Sequence, residues 1–318
     1  MRPFLAALLV PAALFVAPAA AKVPVETVKI ERKTDTVDIE VAYPRTGVAA
    51  IDSQLAAWAN GMVADFEATA DEDFASFKDD NGEMPPWTYS LYLTFEVPRN
   101  DDRMLVFDFD ESIFTGGAHP NHGIETFNFM MPDGWQVDLP EVFKPKALDK
   151  ISALAIADLE RQFAGPDSMS DPDWLKSGAG PSWRNFGAFL LFPDKLVIRF
   201  PPYQVAAYAA GDQRVEIPLS ALKGLMRQDW RTPVASFDCS KAGTTTEKAI
   251  CGDVALARLD RNLADTYAQA LSWASDDAAR DAIKAGQRAW ITDRNACGSD
   301  ADCLSASYTE RIKALQAG

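Results

Sequence analysis

The sequence predicts an α+β module, an antiparallel sheet with packed helices, followed by a small disulfide-bonded all-α domain of three helices. Three observations carry this expectation. Apolar and polar residues alternate with a period of two in several runs before position 220, as in half-buried strands. Elsewhere apolar residues recur every three or four positions, as on one face of a helix. All four cysteines, Cys239, Cys251, Cys297 and Cys303, lie in the last quarter of the chain. Strands and helices grouped in this way favour α+β over a parallel doubly wound sheet.

The chain opens on Met1 and Arg2, an apolar stretch over 4–16, and the run Ala17-Pro18-Ala19-Ala20-Ala21 before Lys22. A positive start, a short apolar centre and an A-x-A ending are the parts of a secretory signal peptide. Residues 1–21 are therefore expected to be cleaved, leaving a periplasmic or secreted protein. The apolar part is shorter than the about 20 residues of a membrane span and is interrupted by Pro3, Pro11 and Pro18. No later stretch approaches that length, so no membrane contact is expected after cleavage. With no cysteine near the cleavage point, a lipid anchor is not expected either.

The first strand is read from position 36, where Val37, Ile39, Val41 and Tyr43 alternate with Asp38, Glu40 and Ala42. The turn residues Pro44-Arg45-Thr46-Gly47 follow, then an amphipathic helix on Ile51, Leu55, Trp58, Met62 and Phe66. Alternation returns at Leu91, Leu93, Phe95 and Val97, again at Leu105, Phe107 and Phe109, and in a third run over 124–131 closed by Pro132-Asp133-Gly134. Strands joined by such short turns are antiparallel neighbours. A second helix is marked by Leu148, Ile151, Ala155, Leu159 and Phe163 and ends at Gly165-Pro166. The stretch 167–181, rich in Ser, Asp, Gly and Pro, reads as a long loop. A hairpin around Pro193-Asp194-Lys195, a last strand over 215–218 and a short helix over 219–226 complete the module.

The texture changes at Thr232-Pro233, which places the acidic α+β module at 22–234, divisible into sub-domains at about 22–115 and 116–234, and the helical domain at 235–318. In the latter, Thr244 and Glu247 form a capping box before a helix bearing Leu256, Leu259, Leu263, Tyr267 and Leu271. A second helix is expected from about Ser275, with Ile283, Gln287, Trp290 and Ile291. A third is expected from about Ser299, with Leu304, Tyr308, Ile312 and Leu315. Three helices in about 80 residues make a marginal core, which two disulfides would strengthen by about 2–4 kcal/mol each. Antiparallel packing brings Cys251, Cys297 and Cys303 to one end with Cys239 just upstream, and all three pairings remain open. A zinc site would want short C-x-x-C pairs, whereas the spacings here are eleven and five residues with no histidine nearby.

Charge is unevenly shared: 34 acidic and 20 basic residues over 22–234, against 12 and 10 over 235–318. Such a surface argues against nucleic acid and suits a basic partner, although acidity also serves solubility.

The only histidines, His119 and His122, stand close to Asp108, Asp110 and Glu111. They are the candidates for a divalent metal, but Pro120 between them and the preceding Gly116-Gly117 favour a structural or ligand-facing loop. With no G-x-S-x-G elbow and no carboxylate pair singled out, no catalytic residue and no cofactor are assigned, and an unrecognised hydrolase stays as an alternative. The aromatics around Pro85-Pro86-Trp87-Thr88-Tyr89 are read mainly as packing. His119, Asn121, His122, Asp167, Asp171 and Asp173 are the candidate ligand-loop residues, the aspartates suiting a basic partner.

The tail, with Cys239, Thr246-Glu247, Ile250-Cys251, Leu259-Asp260, Tyr267, Gln287, Trp290, Arg294, Cys297, Cys303-Leu304, Tyr308 and Arg311-Ile312, resembles the LprI-like lysozyme-inhibitor family. The region 25–228 resembles the extracytoplasmic domains of RsiV-type anti-sigma factors and PdaC-type deacetylases. Tyr43-Pro44, Ile51-Asp52, Thr115-Gly116-Gly117-Ala118-His119-Pro120, the segment 139–145 and the run 202–211 carry that likeness. It extends neither to a transmembrane signalling segment nor to a deacetylase catalytic domain. Both resemblances imply a lysozyme as partner and a non-enzymatic envelope binding protein. The alternative is an accessory or structural protein contacting peptidoglycan.

Overall fold

A computed structural model describes residues 22–165, 169–227, 230 and 235–317. The expected signal peptide and Asp167 lie outside these residues. A six-stranded sheet runs in the order β1 (Glu26–Lys33), β2 (Val37–Arg45), β3 (Tyr89–Asn100), β4 (Met104–Phe114), β5 (Asn121–Met130), β6 (Trp135–Gln136). β1 is an addition to the sequence reading: its charged, mostly exposed residues hide the alternation.

Helix α1 (Ala49–Asn81) separates β2 from β3 and makes that one pairing parallel, while the others are antiparallel. An intervening helix carries the chain back to the end from which it started, so the next strand runs in the same direction. The expected apolar ladder continues beyond Phe66 through Ala70 and Phe74, and the helix stops at Gly82, whose left-handed backbone lets its N–H reach the Lys78 carbonyl at 2.8 Å.

β4 is buried on both faces. Leu105, Phe107 and Phe109 pack with Ile51, Leu55 and Phe66 of α1, whereas Met104 and Val106 enter a second core. That core is built by α2 (Leu139–Val142), α3 (Ala147–Gln162), α4 (Pro172–Ala179) and a second sheet, β7 (Phe189–Leu191), β8 (Lys195–Phe200) and β9 (Gln213–Pro218). The division expected at 115/116 falls between β4 and β5, which pair along nearly their whole lengths.

Buried side chains of β5 bind the backbone of β7. Thr126 Oγ1 accepts from the Phe189 N–H at 2.9 Å, and the Asn128 amide both accepts from Leu191 N–H (2.9 Å) and donates to Phe189 O (2.7 Å). Polar groups this deep are tolerated because each is bonded.

The loop expected over 167–181 is corrected: it contains α4. Asp171 caps that helix by accepting from the Asp173 and Trp174 N–H groups, and Pro172 occupies the first turn, where a missing N–H costs nothing. The short helix expected over 219–226 is only a 3-10 turn, Leu219–Leu222.

The helical module comprises α5 (Thr245–Gly252), α6 (Val254–Trp273), α7 (Asp277–Asn295) and α8 (Ala301–Ala317). The capping box at Thr244 and Glu247 opens α5 as expected. The first of the three expected helices is split, because Asp253 adopts extended backbone and its carboxylate caps a new helix at Ala255 and Leu256. Of the three open pairings, the cysteines form Cys239–Cys251 and Cys297–Cys303, the second bridging the turn from α7 to α8. No helix among the described residues is long and apolar enough to cross a membrane.

Candidate binding surface

The β4–β5 ladder pairs Ser112 with His122 and Asp110 with Ile124, so His122, Asp110 and Asp108 share one face of the sheet. Beyond the strand ends, the loop 115–120 joins β4 to β5. Gly116 is required there, since its φ is +83° and a Cβ would lie 2.5 Å from the Trp87 indole nitrogen.

Tyr208 meets this loop from a segment far along the chain. Its hydroxyl donates to the Pro120 carbonyl at 2.7 Å, and its ring stacks on His119 with centroids 3.9 Å apart and planes 21° apart. Tyr203 stands 5.4 Å from Tyr208, is half exposed, and holds a positive φ of 71°. That uncommon backbone is braced by the Trp174 indole, which donates to Tyr203 O at 2.9 Å. The Ala207 N–H also donates to Met169 O at 2.8 Å, fastening the segment just before Asp171 to the same loop.

Carboxylates border the aromatics. Arg199 of β8 binds the buried Asp108, and its Nη2 reaches Asp110 (3.1 Å) and Asp212 (3.0 Å), both of which remain more than half exposed. Burial pushes the Asp108 carboxyl above its ordinary range, with the Arg199 charge acting against that shift. Glu111 lies across Gly123 on the opposite face, and burial raises its carboxyl too. The surface therefore presents three rings, His119, Tyr203 and Tyr208, beside an acidic rim over a single buried arginine. Such rings offer apolar faces to a cation or a partner side chain, and the rim favours positive charge.

His119 and His122 thus belong to one surface with Tyr208, the latter histidine 6.1 Å from that ring. His119 Nδ1 lies 2.8 Å from Pro120 O. Among the described residues no group of three or more His, Cys, Asp or Glu side chains is placed to hold a metal ion. Asn121 pairs with Ile113 at the start of β5. Asp171 is exposed and caps α4, and Asp173 projects from the first turn of that helix, 3.6 Å from Lys176 Nζ. Tyr203, Arg199 and Asp212 were missed, because only the run 202–211 marked this region and nothing local ties it to position 120.

The signature residues of the helical module turn inward. Tyr308 OH donates to Asp260 Oδ1 (2.8 Å) and accepts from Arg294 (2.6 Å), while Asp260 Oδ2 accepts from Ser236 N–H (2.6 Å). Arg294 lies over the Trp290 and Tyr308 rings, and burial pushes the Tyr308 hydroxyl up. These residues hold the module together from within.

Comparison with known proteins assigns a region to each part of the chain. Residues 30–122 match the family model described as deacetylase PdaC, 140–220 match the protein family of unknown function DUF3298, and 238–315 match lysozyme inhibitor LprI. The chain is therefore an α+β unit of PdaC-like and DUF3298-like regions carrying an LprI-like helical module.

Among particular relatives, the peptidoglycan-N-acetylmuramic acid deacetylase PdaC of Bacillus subtilis (strain 168) is 26% identical over 208 residues, 65% of this chain and 42% of that protein. The lipoprotein LprI of Mycobacterium tuberculosis (strain ATCC 25618 / H37Rv) is 34% identical over 83 residues, 25% of this chain and 40% of that protein. The chain thus matches under half the length of either relative. A solved DUF3298-family structure from Bacteroides fragilis aligns over 66% of this chain and 96% of its own, at 14% identity and a TM-score of 0.48.

Proposed function

We propose that this chain is an exported, non-enzymatic envelope protein that binds a basic partner protein, a lysozyme being the leading example. The observation that carries this reading is the junction of Tyr208 with Pro120 and His119, which gathers aromatic rings beside Asp110 and Asp212 on the acidic module. The LprI-like region supports the same class of partner. Complementary charge speeds encounter, so affinity should fall as salt rises. The test is titration of the protein from Lys22 onward with lysozyme at low and at high salt, alongside an assay of cell-wall lysis. Absence of both binding and slowed lysis at low salt would overturn the reading.

A second reading, an accessory protein contacting peptidoglycan, draws on the PdaC-like region. Co-sedimentation of wild type and Tyr208→Ala with purified cell wall, run beside the lysozyme titration, separates the two, since that variant should weaken the hold on a basic partner and leave any contact with the sugar polymer unchanged.

A further inference from the structure

At the seam between the α+β and helical modules lies a cleft of about 300 Å³, within the size range of small-ligand sites. One wall is Trp183, in a 3-10 turn, Trp183–Phe186, of the first module; the other is α6, with Asn262, Thr266 and Ala270, closed by Leu315 of α8. A second, smaller cavity of about 50 Å³ also touches Trp183 and Thr266.

The polar groups around the indole are disposed for a ligand. Among the described residues, Trp183 Nε1, Asn262 Nδ2 and Ser182 Oγ have no hydrogen-bond partner, and the Asp138 carboxylate stands at the same cleft as an acceptor. The turn that presents Trp183 is rigid: the Asn185 amide donates to Ser177 O and Gly180 O at 3.0 Å each, Gln204 donates to Asn185 O at 2.9 Å, and Phe186 is fully buried. A site held in shape before binding loses little freedom on binding.

A flat ring face flanked by donors and a carboxylate acceptor matches a pyranose, which has an apolar C–H face and an equator of hydroxyls. We infer that the seam between the two modules is a saccharide site, in which Trp183 stacks on a sugar ring while Asn262, Ser182 and Asp138 bond its hydroxyls. Because each module supplies one wall, an occupied site favours the docked arrangement. This site is separate from the surface around Tyr208, and neither depends on the other.

The test uses ¹⁵N-labelled protein and two probes, N-acetylglucosamine and its β-1,4-linked disaccharide. The Trp183 indole N–H resonance, assigned by its loss in Trp183→Phe, is expected to shift saturably in the wild type. Asn262→Ala should weaken binding by about ten-fold, the scale of a lost pair of ligand bonds. Ala270→Trp, which fills the cleft and leaves the Trp183 turn untouched, should abolish it even if Trp183→Phe proves poorly folded. Tyr208→Ala should leave sugar binding unchanged. The inference is overturned if neither probe shifts the Trp183 resonance saturably, or if the shift survives Ala270→Trp.

Discussion

Arg258 of α6 donates from Nε to Glu141 of α2 at 2.6 Å, joining two helices 117 positions apart in the chain. With the Arg227–Asp265 pair at 2.5 Å, it fastens the helical module to the α+β module by two largely desolvated ion pairs of opposite polarity. Removing one partner of such a pair strands the other charge. Arg258→Ala is expected to destabilise docking by about 2–4 kcal/mol, discounted for the partial exposure of the arginine. Urea unfolding followed in the two modules checks this, and an unchanged midpoint would show that the pair contributes nothing.

Acid has a defined effect at the same place. Burial raises the carboxyls of Asp138 and Glu141, with Arg258 opposing the shift in both. The folded state then holds these protons more tightly than the unfolded one. Stability should therefore be highest below the unfolded value of about 4 and should fall as pH rises through the higher folded values. Asp138→Asn cannot ionise, so its stability relative to wild type should grow between pH 4 and pH 7. A constant or shrinking difference in thermal melts over that range would contradict the sign.

Among the described residues Arg199 is the single cation paired with Asp108, Asp110 and Asp212, and it closes the gap between the two sheets. Arg199→Met should cost about 3 kcal/mol, because Asp108 is left buried without its counter-ion. Recovery in Arg199→Met/Asp108→Asn would identify the stranded charge, rather than lost packing, as the cause.

Tyr208→Phe keeps the ring and removes only the hydroxyl that holds Pro120. It should weaken binding of a basic partner modestly, by about 0.5–1.5 kcal/mol, whereas Tyr208→Ala should weaken it further. Calorimetric titration with lysozyme distinguishes the steps, and equal affinity in all three proteins would remove this surface from the contact.

Replacing both Cys239 and Cys251 with serine should lower the stability of the helical module by about 2–4 kcal/mol, since the bridge closes a short loop ahead of a small core. Guanidinium unfolding of ¹⁵N-labelled protein, followed at the Trp290 indole N–H resonance, reports it.

Much of the fold was legible because burial imposes a period. Ile39, Leu91 and Phe109 alternate with polar neighbours, and Ile51, Leu55 and Phe66 mark α1. Legibility fails where a single residue sets geometry without a period. Asp171-Pro172 opens α4 inside a stretch rich in loop-forming residues, and Asp253 splits a helix whose apolar spacing reads as continuous. The surface was half legible. His119 and His122 stood out by rarity, but their partner Tyr208 lies 88 positions beyond Pro120, and only folding brings them into register. The seam cleft carried no sequence signal, because its walls come from separate modules.

The sharing of β5 between two cores has an evolutionary corollary. The regions matched at 30–122 and 140–220 are joined through a strand whose Phe127 and Phe129 serve one core while Thr126 and Asn128 bind the backbone of the other. Transplanting either region alone would leave a hydrophobic sheet face bare and unbonded donors in the interior. Recombination should therefore move the two as a single heritable cassette, whereas the helical module, with its own core and both disulfides, could be exchanged at its boundary for any module that supplies partners for Glu141 and Arg227.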